Sequence, residues 1–188
     1  MIEFSLAKSD NDLLGIIELQ KKNLLQNLTH EELKAEGFLT VQHDFKILKK
    51  MNLDEPGIIA KADDKVIGYC LAMTKKFRDE IPVLIPMFEM LETLYYKGMP
   101  LPRCRYYVMG QICVDEAYRG LGIFDGLYQK HKDTYSRDYD CCITSVSTRN
   151  LRSMRAHLRV GFKIIHTFRD LTDEWNILLL DWNNKKLE

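Results

Sequence analysis

The stretch Tyr106–Phe124, which reads YYVMGQICVDEAYRGLGIF, constrains this chain more than any other. Its first part, up to Val114, is rich in β-branched, aromatic and sulfur-containing residues and predicts a strand. The segment Arg119–Gly122 predicts a short glycine turn, and a helical pattern follows it. Free backbone N–H groups and the positive end of a helix dipole meet at such a turn. The stretch therefore predicts an anion site that suits a phosphate.

Net charge limits the partners of this chain. The 188 residues contain 27 Lys and Arg against 27 Asp and Glu, so the formal net charge is zero. A neutral balance argues against general binding to nucleic acid or to an anionic membrane. No run of about 18 apolar residues occurs, and residues 1–30 contain no basic segment followed by an apolar one. We therefore expect a soluble, cytoplasmic protein with no nucleic-acid or membrane partner.

The cysteines and histidines indicate neither disulfides nor a metal site. The cysteine count is odd and no Cys-x-x-Cys occurs, which favours buried free thiols in a reducing compartment. The five cysteines are Cys70, Cys104, Cys113, Cys141 and Cys142. The five histidines form no His-x-x-x-His or Cys/His cluster, so we expect no metal.

Apolar periodicity predicts strands and helices along the whole chain. The predicted strands are Ile2–Leu6, Gly57–Ala62, Lys65–Thr74, Tyr106–Val114, Asp140–Ser147, Phe162–Phe168 and Trp175–Trp182. The predicted helices run from Ser9 or Asp10 to Leu24 and over Thr29–Gly37, Val41–Met51, Leu121–Tyr135 and Asn150–Val160. This order predicts one mixed α/β domain that covers residues 1–188.

Two stretches each have two interpretations. Residues 75–104 are either a helix packed on the core or a substrate-side loop and helix, because inserted connections often carry specificity. The helical stripe in this stretch is formed by Phe88, Leu91, Leu94 and Tyr95. The apolar run Trp175–Trp182 is either a core strand or a strand that extends the sheet across a dimer contact. The oligomeric state, monomer or homodimer, stays open.

Two motifs together resemble a known family. The first, Arg119-Gly120-Leu121-Gly122-Ile123-Phe124, follows the fourth predicted strand of that family's order. The second is an Asn-led helix ending in Gly-Phe, namely Asn150-Leu-Arg-Ser153-Met-Arg-Ala-His157-Leu-Arg-Val-Gly161-Phe162. In this order they resemble the signatures of the GNAT superfamily of acyl-CoA-dependent N-acetyltransferases. The secondary-structure order extends the resemblance over nearly the whole chain.

The resemblance implies a fold and a cofactor. The fold is a mixed, mostly antiparallel sheet of about seven strands flanked by helices, splayed between the fourth and fifth strands. The co-substrate is acetyl-CoA, with its pyrophosphate on the amides of the glycine turn and its pantetheine arm added to the fourth strand's edge. The implied cofactor-binding residues are Ile112, Cys113, Val114, Arg119, Gly120, Leu121, Gly122, Ile123, Phe124, Asp125, Asn150 and Ser153.

Three of these residues have a second interpretation. Phe124 stands where the family usually has Gly or Ala, so its side chain must point away for the backbone to approach a phosphate. Arg119 either adds positive charge at the turn or only braces it. Asn150 either hydrogen-bonds the pantetheine arm or only caps its helix.

His157 is the candidate catalytic residue. The resemblance implies that it protonates the departing CoA thiolate, a role that its titration near neutral pH suits. The alternative is a partly buried polar residue with no chemical role. Cys113 has no His or acid paired with it in sequence, so we interpret it as a buried thiol rather than a nucleophile. No general base stands out among Glu80, Glu89, Glu92, Tyr107, Gln111, Asp115 and Glu116.

The resemblance implies an N-acetyltransferase that moves an acetyl group from acetyl-CoA to a primary amine, directly in a ternary complex. The acceptor is a small-molecule or peptide amine, and aromatic residues between 77 and 107 are compatible with several classes. Two alternatives remain. One is a non-catalytic acyl-CoA-binding or regulatory module of the same fold, and the other is an unrelated phosphate-binding module such as a nucleotide sensor.

Overall fold

Seven of the described strands form one sheet. The computed structural model describes residues 1–27 and 38–183. Strands β1 to β7 cover Ile2–Leu6, Ile58–Ala62, Lys65–Met73, Tyr106–Val114, Cys141–Ser147, Lys163–Arg169 and Glu174–Asp181. Their spatial order is β1-β2-β3-β4-β5-β7-β6, and every neighbouring pair is antiparallel except β4 with β5. The predicted mixed, mostly antiparallel sheet is therefore confirmed.

The two parallel strands at the centre of the sheet separate after a short contact. β4 pairs with β5 over Tyr106–Val108 and the rest of β4 has no partner in β5. On its other edge β4 has a bulge at Gly110, because Met109 and Gln111 face consecutive residues of β3. A bulge bends its strand and increases the local twist. β4 and β5 therefore diverge beyond Val108, and their free edges border a cleft.

Five helices of the described residues cover the sheet. Helices α1 to α5 are Asp10–Asn23, Phe45–Asp54, Ile85–Leu91, Ile123–Tyr135 and Leu151–Arg159. α1 starts at a capping box, in which the Ser9 hydroxyl accepts the Asp12 N–H and the Asp12 carboxylate accepts the Ser9 N–H. Such a box satisfies two backbone donors that a helix start otherwise leaves without partners. The start of α1 is therefore encoded by residues that are close together in the sequence, so it can be predicted from the sequence.

A hydrophobic layer lies on each side of the sheet. On one side the core includes Ile16 of α1, Leu48 of α2 and Phe88 of α3. On the other side it includes Leu127 of α4 and Phe162, which precedes β6. Each such side chain stabilises the fold by about 1.5–3 kcal/mol when it leaves water. Because both faces are covered, the central strands β2 and β3 are buried along nearly their whole length.

The first helix ends one residue earlier than predicted. α1 ends at Asn23, and Leu24 forms a parallel bridge with Leu39 instead of a further helical turn. This bridge brings the chain after residue 38 back to the end of α1. The helix predicted over Thr29–Gly37 lies outside the described residues.

The helix predicted over Val41–Met51 is displaced along the chain. It begins at Phe45 and ends at Asp54, because the Asp44 carboxylate accepts the Ile47 N–H at 2.8 Å and caps the helix. The prediction was wrong for residues 41–44, which precede the first helical residue and are not helical. The remaining predicted elements outside residues 75–104 match the observed ones within two residues at either end.

The stretch 75–104 contains a shorter helix than its apolar stripe predicts. α3 ends at Leu91, and Tyr95–Tyr96 pairs with Met99–Pro100 in a short hairpin. Gly98 in its turn has φ +79°, a left-handed value that favours glycine. The last two residues of the predicted stripe are therefore not helical, which corrects the prediction. Phe88 and Leu91 are buried as the core interpretation requires.

β7 settles the two interpretations of the last apolar run. It pairs with β5 on one edge over Cys141–Ser147 and with β6 on the other. A strand paired on both edges has no free backbone groups with which to extend a sheet. The run Trp175–Trp182 is therefore a core strand, and the dimer-extension alternative is wrong.

The cysteines carry free thiols in this structure, four of them buried. In the described ranges no group of three or more His, Cys, Asp and Glu side chains is arranged to hold a metal ion. Within those same ranges, no helix has the length and apolar character needed to span a membrane.

Candidate active site

The glycine turn leads directly into an uncapped helix. Gly120 and Gly122 have φ of +79° and +76°, left-handed values that favour glycine. Gly122 is the residue before α4 and supplies no side-chain cap. The first helical bond of α4 joins the Gly126 N–H to the Gly122 carbonyl at 3.0 Å. The N–H groups of residues 123–125 therefore have no helical acceptor and point out of the helix start, beside its positive dipole end.

A cavity of about 380 Å³, which we call the turn cavity, lies at this helix start. Eleven of the twelve predicted cofactor-binding residues line it, namely Ile112, Cys113, Val114, Arg119, Gly120, Gly122, Ile123, Phe124, Asp125, Asn150 and Ser153. The twelfth, Leu121, is 62% exposed and does not line the cavity. The structure therefore brings the two sequence motifs together around one opening.

Arg119 braces the turn. Its Nε donates to the Val114 carbonyl at 3.3 Å, and its Nη2 donates to the Asn23 side-chain oxygen at 2.9 Å. These bonds join the end of β4 to the end of α1. Burial lowers the pKa of Arg119, yet guanidinium remains protonated under ordinary conditions. Arg119 therefore combines bracing with a positive charge on the cavity wall.

Helix α5 adds charges that the sequence interpretation missed. Arg152 and Arg159 line the turn cavity together with Ala156. These positions recur at helical spacing on one face, so the signal was present in the motif itself. Arg159 Nη1 contacts both oxygens of Asp125 at 2.7 Å, an ion pair that joins α5 to the first turn of α4. Arg119 and Arg152 place two further guanidinium groups on the wall of the turn cavity.

Phe124 extends towards α5. Its ring centroid lies 5.2 Å from that of Tyr128 and 5.2 Å from that of His157, with edge-on contact to His157. The side chain is thus packed between α4 and α5 while its backbone belongs to the first turn of α4. This geometry meets the condition that the sequence set for a large residue at this position.

A second cavity, which we call the cleft cavity, fills the opening between β4 and β5. Its volume is about 290 Å³, and its lining includes Met109 of β4 and Thr144 of β5. The two cavities share five lining residues, which are Phe38, Leu39, Ile112, Asn150 and Ser153. They are therefore adjacent, one at the glycine turn and the other within the sheet.

The segment 38–43 borders both cavities and is held by buried side chains. Gln111 of β4 donates to the Val41 carbonyl at 2.7 Å and accepts from the Tyr69 hydroxyl at 2.6 Å. Gln20 of α1 accepts the His43 N–H at 3.0 Å and donates to His43 Nδ1 at 3.1 Å. Each glutamine uses both its side-chain oxygen and its side-chain nitrogen, so these bonds hold the segment in one position.

Asn150 caps α5 and holds the same segment. Its side-chain oxygen accepts the Ser153 N–H at 3.2 Å, which is the capping bond that the sequence indicated. Its side-chain nitrogen donates to the Phe38 carbonyl at 3.2 Å. The side chain is buried, and both ends of its amide already have protein partners.

His157 is 1% exposed and lines the cleft cavity. Its Nδ1 lies 2.7 Å from the Ser153 carbonyl oxygen, an acceptor only, so Nδ1 carries the hydrogen and donates. Its Nε2 has no hydrogen-bond partner among the described residues. Burial among the rings of Phe124, Tyr128 and Phe162 lowers the pKa of His157 to about 4. At neutral pH His157 is therefore uncharged, and Nε2 presents a lone pair.

A family model described as the Acetyltransferase (GNAT) family matches residues 22–162, which is most of the chain. The chain belongs to the GNAT acetyltransferase family. This membership replaces the alternative of an unrelated phosphate-binding module. No curated protein matches the sequence.

Solved GNAT structures share the fold at low sequence identity. One is a putative acetyltransferase from Salmonella typhimurium with its cofactor acetyl-CoA, with TM-score 0.62, 12% identity and coverage of 98% of this chain and 96% of that one. Another is Arabidopsis thaliana Naa50 with a CoA-Ac-MVNAL bisubstrate analogue. Its TM-score is 0.64 at 14% identity, and the match covers 96% of this chain and 98% of that one. A third is an N-acetyltransferase from Staphylococcus aureus. Its TM-score is 0.61 at 16% identity, and the match covers 97% of this chain and 99% of that one. At these identities the likeness shows the fold alone.

The carboxylates of this GNAT chain that line the cleft cavity are not those considered from sequence. Asp170 and Asp173, in the turn between β6 and β7, line it. None of the five acidic residues weighed as a general base, Glu80, Glu89, Glu92, Asp115 and Glu116, lines either cavity. Tyr107 is buried on the α4 side, where its hydroxyl contacts His131 Nδ1 at 3.0 Å. The missed signal was the Asp170–Glu174 turn, which reads as an ordinary polar loop.

Cys113 is buried in the GNAT fold and lines the turn cavity. Burial raises the pKa of its thiol to about 12. A thiol with so high a pKa stays protonated at neutral pH and is a poor nucleophile. This agrees with the interpretation of Cys113 as a buried thiol.

Proposed function

We propose that this chain transfers an acetyl group from acetyl-CoA to a primary amine, directly, with both substrates bound. The observation that carries the proposal is a pair of adjacent cavities, one at the glycine turn and one lined by His157, which share Ile112, Asn150 and Ser153. A non-catalytic binding module needs the turn and the edge of β4. It has no use for a second cavity that is lined by a buried histidine.

The turn cavity takes the pyrophosphate of acetyl-CoA. The amides of residues 123–125 and the positive end of α4 suit its phosphate oxygens, and Arg119 and Arg152 supply formal positive charge. The free edge Ile112–Val114 of β4 pairs with the amides of the pantetheine arm. Because the Asn150 amide already has two protein partners, we assign it the positioning of segment 38–43 rather than a primary bond to the arm.

His157 carries the proton in this mechanism. The neutral amine attacks the thioester carbonyl carbon, so a C–N bond forms and the C–S bond breaks. The attacking nitrogen must lose a proton, and the departing thiolate must gain one. Nε2 of neutral His157 accepts the proton from the nitrogen and returns it to the sulfur. One residue then fills both the acid role inferred from sequence and the base role for which no carboxylate was found.

The ligands of two solved structures with this fold are compatible with direct transfer. The Salmonella typhimurium structure holds acetyl-CoA, and the Arabidopsis Naa50 structure holds an analogue that links CoA to a peptide. A ligand that joins both substrates fits a site in which donor and acceptor are bound together. For this chain, direct transfer accordingly predicts no acetylated enzyme intermediate.

A thiol-release assay with acetyl-CoA and a panel of primary amines tests the proposed function, alongside calorimetric binding of acetyl-CoA. We expect measurable binding and amine-dependent release of CoA. Binding without release in the presence of any amine would identify the non-catalytic module instead. Tighter binding of a nucleotide than of acetyl-CoA would contradict the cofactor assignment.

Replacing Gly122 with Val weakens acetyl-CoA binding by about 10- to 100-fold, because the strained turn misaligns charge-assisted bonds to the pyrophosphate. Gly98→Val is the matched control. Both glycines have φ near +80° and no atom within 4 Å of the position that a Cβ would take, so each variant loses about 1–2 kcal/mol of stability. Gly98 lines neither cavity, so its variant keeps wild-type affinity in calorimetry. Equal affinity losses in the two variants would contradict the assignment.

A further inference from the structure

The cleft cavity has an apolar wall built from separate parts of the fold. Apolar side chains enter it from segment 38–43, from the turn before α3 and its first residues, from β4, and from the β6–β7 hairpin. They are Val41, Val83, Leu84, Met87, Met109, Phe168 and Trp175. Such a wall favours an apolar group on the acceptor, and each methylene that it takes out of water improves binding about fourfold.

The formal charges that line this cavity are few. They are those of Arg149, Asp170 and Asp173 in the described part of the chain. Arg149 binds Asp173 through Nη2 at 2.7 Å and through Nε at 3.0 and 3.1 Å, so these two charges cancel. Neutral His157 adds none. Among the described residues that line the cavity, one net negative charge, that of Asp170, therefore remains.

Asp170 keeps its negative charge at neutral pH. Its Oδ1 accepts the backbone N–H of Thr172 at 2.7 Å, the Thr172 hydroxyl at 2.7 Å and the Asp173 N–H at 2.9 Å. Burial by itself would raise the pKa of this carboxyl, but the hydrogen bonds outweigh burial and lower it. In the described ranges no Lys or Arg forms an ion pair with Asp170. Within the described ranges, the negative charge of Asp170 is therefore not neutralised by an ion pair.

We infer that the acceptor is a monocationic amine attached to an apolar group, with no free carboxylate beside the amine. This inference rests on the proposed acetyl transfer and names its substrate class. An apolar wall accepts the side group, and Asp170 attracts the ammonium form as it enters. A polyamine or aminoglycoside requires several carboxylates, and a free amino acid brings a carboxylate that Asp170 repels.

Size supports the same class. Ligand pockets commonly measure about 300–1,000 Å³, and the cleft cavity, at about 290 Å³, lies at the lower end. A single side chain such as that of leucine fits a space of this size. Two sources share the chemistry, namely the N-terminal residue of a peptide and a free apolar monoamine.

A matched acceptor panel tests the inference by kcat/KM. It contains tripeptide amides that begin with Leu, Gly or Asp, together with leucinamide, free leucine, isopentylamine, spermidine and kanamycin. We expect the Leu-first tripeptide to exceed the Gly-first one by about 50-fold or more, from four buried carbons, and leucinamide to exceed leucine by about tenfold. Isopentylamine at the level of the Leu-first peptide identifies a free amine as the source, and a much lower value identifies a peptide.

Two variants locate the preference in the cleft cavity. Asp170→Asn keeps the accepting oxygen and removes the charge, so KM for the favoured amine rises about five- to tenfold while acetyl-CoA affinity stays constant. Val83→Asp changes a wall residue that is 48% exposed, and it reduces the Leu-over-Gly ratio at least about tenfold. The exposed Asp79 lines neither cavity, and Asp79→Asn changes neither value.

The outcomes separate this inference from the proposed function. Preferred acetylation of spermidine or kanamycin, or equal rates for Leu-first and Gly-first peptides, overturns the substrate class and leaves acetyl transfer standing. Acetyl-CoA binding with no transfer to any amine of the panel overturns both.

Discussion

Replacing His157 with Phe lowers kcat by about 10²- to 10³-fold and leaves the dissociation constant of acetyl-CoA within about twofold. Loss of a positioned proton carrier typically costs a reaction a factor of about 10²–10⁴. The Phe ring fits among Phe124, Tyr128 and Phe162, which already surround the imidazole edge-on. The variant therefore removes Nε2 without opening the core, so activity and folding are affected separately.

His166 provides the matched control for this substitution. It lies on β6 and lines neither cavity, so His166→Phe keeps wild-type kcat. The measurement is steady-state thiol release at saturating acetyl-CoA, with circular dichroism to verify folding. Unchanged turnover in His157→Phe would contradict the proposed proton carrier. A loss in Tyr128→Phe instead would assign the proton to the Tyr128 hydroxyl, a second buried group without a hydrogen-bond partner among the described residues.

Acid destabilises this protein between about pH 6.5 and pH 4, with three protons taken up on unfolding. His43, His131 and His157 are buried, and burial lowers the pKa of each from 6.5 to about 4. In this window the unfolded chain binds these protons and the folded chain does not, so stability falls as pH falls. A shift of this size is worth about 3 kcal/mol per histidine, or about 9 kcal/mol for three. That approaches the whole stability of a typical domain.

Urea unfolding at a series of pH values measures this effect. The free energy of unfolding is expected to decrease as the pH is lowered from about 7, with a limiting slope of about three protons within the window. His157→Phe lowers the slope to about two protons, because it removes one of the three buried histidines whose pKa is lowered. A flat profile down to about pH 4 would show that the three histidines titrate alike in the folded and unfolded chains.

The turn and the α5 motif were readable from sequence because their chemistry is local. Gly120 and Gly122 are required by left-handed backbone, and Asn150 accepts the N–H of a residue three positions on. The fold followed from the same motifs and from apolar periodicity. Phe124, the main departure from the family pattern, packs against Tyr128 and His157 and also lines the turn cavity.

The acceptor side was not readable because it is assembled from distant segments. Gln20 holds His43, and Gln111 holds Val41, through hydrogen bonds between distant segments that no local sequence pattern predicts. Asp170 enters the cleft cavity from a hairpin turn that resembles any polar loop in sequence. Helix boundaries failed for a related reason, since an Asp44 cap starts α2 after the apolar pattern has already begun.

The structure keeps His157 as the candidate residue but changes the protonation state in which it would act. The sequence resemblance implied a proton donor at this helix position. The Ser153 carbonyl fixes the hydrogen on Nδ1, and burial keeps the ring neutral, so Nε2 must accept a proton before it can give one. In the proposed mechanism the same nitrogen therefore serves the incoming amine and the departing sulfur.

The most direct test of the central claim is mass spectrometry of a reaction with acetyl-CoA labelled in its acetyl group and the Leu-first tripeptide amide. Direct transfer predicts that the label appears on the peptide's α-amine in equimolar ratio with released CoA, and that no labelled enzyme accumulates when the peptide is omitted. Release of CoA with the label recovered only as free acetate, or a labelled enzyme that forms without the amine, would contradict acetyl transfer in a ternary complex.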